Sequence, residues 1–186
     1  RAGLESELED APLEARVGYS LRIWFEWGDS LADQRTSLVV DPPDGRIPAV
    51  TPAVETRREE QRTLRARHAH GPEDRGISER CLLGFGSVGG PPMLPVLYNN
   101  LKRIVQTEDH IMILAEMVHD ARIVRMNQEH APSEIRSWLG DSVGYWEGDT
   151  LVIDTTNFND TPALRSATRD LHVVERFTRI NSDTLR

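Results

Sequence analysis

Cysteine, lysine and aromatic residues are scarce in this chain of 186 residues, and long apolar runs are missing. Cys81 stands alone, so no disulfide forms within the chain. Its neighbours Arg80, Leu82 and Leu83 predict a small, buried, inert thiol. No stretch of 18 or more apolar residues occurs, so no helix of this chain spans a membrane. Lys102 is the one lysine among 22 basic residues, a skew that reflects genome composition rather than arginine-specific recognition. Acidic residues number 30, and the resulting net charge of −8 is the wrong sign for neutralising phosphates. Nucleic acid and anionic membrane surfaces are therefore excluded as general partners. No signal peptide is legible, although the chain begins at Arg1 without Met.

What remains suits one domain of ordinary size with a peripheral arm. Residues 1–80 read as an N-terminal arm and linker, partly irregular. Leu4 to Arg16 predicts a short exposed helix, and Tyr19 to Trp27 an aromatic segment that packs on the main body. Ser37–Val40 reads as a short strand stopped by the turn-forming Asp41-Pro-Pro-Asp-Gly45. Glu55 to His70 mixes charges of both signs with little apolar content, the pattern of a solvated helix or arm. His68 and His70 make a His-x-His pair, but no further ligand lies near in sequence. Gly84-Phe-Gly-Ser-Val-Gly89 matches the dinucleotide fingerprint by letter only. Gly90-Pro91-Pro92 and Pro95 follow where a helix would have to begin, so the segment reads as a loop.

Residues 81–186 read as an antiparallel β domain, incomplete at its C-terminus. Strands are predicted over 101–106, 110–118, 121–126, 142–146, 150–158 and 171–179, with two helical turns over Pro132–Leu139 between Pro132 and Gly140. Short connections imply a meander, hence a β-barrel or a strongly curled sheet of the calycin or lipocalin kind. Asn181-Ser-Asp183 reads as a turn and Thr184–Arg186 as the opening of a further strand, so the natural protein is expected to continue.

Alternation along the strands places a carboxylate among apolar neighbours three times: Glu116 beside Met112 and Leu114, Asp154 beside Val152, and Glu175 beside Val173 and Phe177. Each needs a cationic partner or a raised pKa. Interior salt bridges with arginines would satisfy that need. So would a polar pocket, and Glu116-Met-Val-His119-Asp120-Ala-Arg122 is the densest source of groups for one. In the catalytic version His119 is the acid/base, Asp120 orients it, Arg122 holds developing negative charge and Glu116 contributes a carboxylate. Tyr98, Trp146, Asp154, His172 and Glu175 would line the ligand. Adjacent residues on a strand face opposite ways, so His119 and Asp120 need a bulge or turn to serve one site. His119, His130 and His172 are metal-competent, yet their spacing supports no metal site, and no cofactor is indicated.

Tyr98-Asn-Asn100, Ile104-Val-Gln-Thr107, Glu116–Arg122, Trp138-Leu-Gly-Asp-Ser142, Trp146–Phe158 and Leu171–Phe177 resemble a large family of uncharacterised bacterial proteins. The resemblance covers roughly residues 35 to 186 and carries no established activity. It implies export to the periplasm or cell exterior, and further strands beyond the end of this chain. One departure stands out. The family often has arginine after Gly-Asp-Ser, where this chain has Val143, which implies loss of any contact that arginine makes to an anion.

Together these observations predict a small-molecule-binding β domain, with acid/base chemistry of the lyase, isomerase or hydrolase type as one version. A carrier without chemistry is the alternative. A third reading is an interaction domain that self-associates through an exposed strand edge.

Overall fold

The computed structural model describes residues 35, 37–65, 69–84, 90–94, 96, 99–162, 164 and 167–186. The predicted segments over 4–16 and 19–27 lie outside the described residues, as do His68, Tyr98 and residues 85–89 of the glycine-rich loop.

The chain is mainly β. Six strands follow one another in the sheet in chain order: β1 Lys102–Gln106, β2 His110–Ala115, β3 Ala121–Met126, β4 Asp141–Glu147, β5 Thr150–Thr156 and β6 Val173–Thr178. The sheet curls into a half-barrel. Four of the five junctions are antiparallel, but β3 and β4 run parallel, with Val124 opposite Ser142 and Met126 opposite Gly144. A meander with only short turns cannot make that junction, because parallel neighbours need a crossover. Residues 127–140 supply it.

The two helical turns predicted over Pro132–Leu139 are not formed. Proline at 132 and glycine at 140 suit helix ends, but the segment is drawn into the sheet instead. Ser137 bridges Phe158 in parallel, its amide donating to Asn157 O at 3.1 Å and its carbonyl accepting from the Asn159 amide at 3.0 Å. Asn157 Nδ2 donates to the Ala131 carbonyl at 2.9 Å. At Gly140 the backbone has φ +71°, and a Cβ there would stand 2.6 Å from Thr156 O. The crossover thus returns to the sheet at a point only glycine fills.

Alternation divides the sheet into two faces. The inner face carries Ile111, Ile113, Arg122, Val124, Met126, Leu151, Ile153, Val173 and Glu175. The outer face carries Arg125, Asp141, Val143, Val152, Asp154 and Arg176. Leu83, Gly90 and Pro91 are buried, and Met93 packs against the inner-face cluster. Gly148 opens the two-residue turn between β4 and β5 with φ +59°, which pairs Glu147 with Thr150 and sets the register of the whole hairpin.

Outside the sheet, α1 spans Pro52–Arg65, with proline at its first position and Glu59–Arg62 paired at 3.1 Å. Arg57 of α1 donates to the carbonyls of Asp160 and Ala167, fastening the helix to the loop before β6. Ser37–Val40 forms no strand: Leu38 and Val40 are exposed and no strand among the described residues pairs with them, although the turn at Asp41–Gly45 is closed by Gly45 N donating to Pro42 O. Cys81 is exposed rather than buried. It sits at φ +54° in a hydrogen-bonded turn, and Leu83 enters the core instead. At the other end the Asn181–Asp183 turn forms, and Thr178 and Arg186 exchange backbone hydrogen bonds.

Candidate functional site

The predicted site residues do not converge on one pocket. Strand β2 ends at Ala115, and Met117–His119 form a single 3-10 turn in which Val118 and His119 both have φ 57°. This corner leaves Glu116 and His119 exposed, while Asp120 is buried and accepts from the Gly84 amide at 3.0 Å. Asp120 thus fixes the entering chain, and no hydrogen bond joins it to His119 among the described contacts. Tyr98 lies outside the described residues.

Arg122 and Glu175 do meet, on the inner face. They belong to β3 and β6, three strand spacings or roughly 14 Å apart in a flat sheet. Curling closes that gap, and Arg122 Nη1 donates to Glu175 Oε2 with side-chain exposures of 2% and 10%. Glu175 Oε1 also accepts from the Met93 amide at 3.3 Å. Arg122 Nε and Nη2 are buried without a hydrogen-bond partner.

Asp154 and His172 meet on the outer face, within a longer chain of polar groups. Arg125 Nη2 donates to both Asp141 oxygens at 2.9 Å. Asp141 Oδ2 accepts from the Ala131 amide and lies 2.9 Å from His130 Nδ1. His130 Nε2 lies 2.9 Å from Asp154 Oδ1, and His172 Nε2 lies 2.8 Å from Asp154 Oδ2. The register that sets Val143 opposite Asp154 and Arg125 opposite Val143 brings these strands' outer groups into line. The crossover contributes His130.

The electrostatics follow from these contacts. Burial alone pushes the Asp141 carboxyl up, but the Ala131 amide, His130 and Arg125 outweigh it and hold the group below the usual carboxylate range. Burial is likewise the largest single influence on Asp154, and His172 and His130 together overcome it and lower the group. Both carboxylates can only accept, and one faces each ring nitrogen of His130. His172 donates from Nε2 and thereby directs Nδ1 away from Asp154, and its side chain is 57% exposed. The arrangement is an exposed histidine oriented by a carboxylate, with a second histidine–carboxylate pair behind it.

Trp146 stands apart, at the far end of β4. It is 47% exposed and lines a cavity of about 430 Å³ with Gly148, Asp149, Arg179 and Asn181. Among the described residues no group of three or more His, Cys, Asp or Glu side chains is placed to hold a metal ion.

Sequence reasoning placed Asp154 and His172 among ligand contacts and missed Arg125 and Asp141. The signal for Asp141 was present: the two-residue turn at Gly148 fixes the hairpin register, and counting back sets Asp141 on the face of Asp154. His130 had no such signal, because it reaches the site from the crossover. No protein-family model, curated protein or solved structure matches this chain.

Proposed function

We propose that this chain is an exported domain that acts on a small organic molecule by proton transfer at its outer face. The observation that carries the reading is the unbroken line of charge-assisted hydrogen bonds from Arg125 through Asp141, His130 and Asp154 to the exposed His172. In this mechanism His172 takes a proton from the substrate at Nδ1. The imidazolium so formed is stabilised by Asp154, and His130 keeps Asp154 ionised and in place. The resemblance over residues 35–186 supports export to the periplasm or cell exterior, and no described helix is long and apolar enough to cross a membrane.

A second reading, a carrier without chemistry, draws on a different observation. The buried Nε and Nη2 of Arg122 have hydrogen-bonding capacity that a ligand oxygen on the inner face would use.

One experiment separates the two. The chain is incubated with a small-molecule extract of bacterial cells, followed by proton NMR for consumption and by native mass spectrometry for adducts. Proton transfer predicts a compound consumed by the wild type and consumed about a hundredfold more slowly by His172→Gln. Equal turnover by the variant sinks that reading. An adduct without consumption, retained in His172→Gln, establishes the carrier instead.

A further inference from the structure

The cavity at the β4–β5 turn is unconnected with either polar cluster. Trp146 lies five residues along β4 from Asp141, roughly 17 Å away at strand rise. Its indole belongs to the inner-face register, opposite the buried Leu151, yet the residue is about half in water. Around it the walls are polar. Asp149 supplies a carboxylate. Arg179 is held by two of its nitrogens, Nε donating to Asn181 O and Nη2 to Ser182 O, both at 3.1 Å. Asn181 is itself fixed, with Oδ1 accepting from the Asp183 amide at 2.8 Å. Gly148 leaves open space, with nothing within 4 Å of where a Cβ would stand. The volume of about 430 Å³ falls within the range of small-molecule sites.

Each wall restricts the ligand. A purely apolar molecule would have to strip water from the exposed Asp149 and Arg179 without replacing it. A phosphate or other strong anion would meet Asp149 directly and a protein of net charge −8. A simple cation would meet Arg179. The charges of Asp149 and Arg179 balance, so the fitting ligand is neutral, has one flat apolar face for the indole, and carries hydroxyls along its edges for planar carboxylate, amide and guanidinium groups. A pyranose ring has that form: its axial C–H bonds make an apolar face and its hydroxyls donate and accept around the rim.

We infer that Trp146, Asp149, Arg179 and Asn181 form a carbohydrate-binding site for neutral sugars, with Trp146 as the stacking platform. Because the cavity opens to solvent at the edge of the sheet, it accepts an internal or terminal unit of an oligosaccharide. This inference does not depend on proton transfer at His172.

The test is titration of the whole chain with neutral cello-, xylo-, malto- and chito-oligosaccharides, read by tryptophan fluorescence and calorimetry. At least one series should bind saturably. Trp146→Ala should weaken that binding by about tenfold or more, Trp146→Phe by less, and Asp149→Asn by several-fold, with unchanged circular dichroism in all three. His172→Gln should bind as the wild type does, which keeps this site distinct from the outer-face one. Absence of saturable binding to every series overturns the inference. So does binding that survives Trp146→Ala, or a preference for oligouronates over their neutral counterparts.

Discussion

The two faces of one sheet handle charge in opposite ways. On the inner face a single pair, Arg122 and Glu175, is nearly sealed from water among Ile113, Val124 and Ile153, and two guanidinium nitrogens have no partner. On the outer face the charges form a line of linked groups, each between about a fifth and a third exposed until His172 is reached. Every oxygen of Asp141 and Asp154 is engaged. The inner pair is an all-or-nothing contact, because either member left alone is a buried charge. The outer chain shares its charges among neighbours, so that the loss of one link leaves the others partly satisfied.

This contrast can be broken or sharpened in three ways. Arg122→Met should have the largest effect, about 3–5 kcal/mol in urea denaturation, since it strands Glu175 in the interior. Replacing both, Arg122→Met with Glu175→Leu, should recover most of the loss, and a single variant no worse than the double would end the distinction. His130→Ala should cost less, about 1.5–3 kcal/mol by the same measurement, because Asp141 keeps Arg125 and the Ala131 amide while Asp154 keeps His172. A cost above that of Arg122→Met would show that the outer line behaves as one buried unit. The smallest effect concerns acid. Asp141 and Asp154 are both held low in the folded chain, so on acidification the unfolded chain takes up protons first. Their contribution is complete above about pH 4 and is lost as pH falls through the lowered folded values. Thermal melts at stepped pH should therefore show a shallower acid limb for Asp154→Asn than for the wild type, and coincident limbs would remove Asp154 from the linkage.

The strands were legible because their signal is local. Ala121–Met126 is found as a short run of β-branched and apolar residues carrying two arginines, and the Gly148 turn announces the β4–β5 register. The misjudged segments were those in which a tertiary contact decides. The 132–139 stretch has helix-end chemistry but is captured by Asn157 and Phe158 from another part of the chain. Strand β2 stops early because the backbone turns helical at Glu116 and then left-handed at Val118, which no propensity of a β-branched residue foretells. For the site, alternation correctly set Glu175 with Val173 and Phe177, and Asp154 with Val152. It could not say that these two sets occupy opposite faces, since relative facing depends on the register between strands. The expected common pocket therefore divides in two.

The parallel junction gives the sheet a seam. Strands β1–β3 and β4–β6 are two triplets whose antiparallel neighbours each share five to seven residue pairs, whereas β3 and β4 share three. The seam can form only after residues 127–140 have been drawn across and the chain has paid their loop-closure entropy. The Arg125–Asp141–His130–Asp154 line lies over that join, with Arg125 in the first triplet and Asp141 and Asp154 in the second. A chain whose two triplets have formed but not docked thus holds the residues of this line without its geometry.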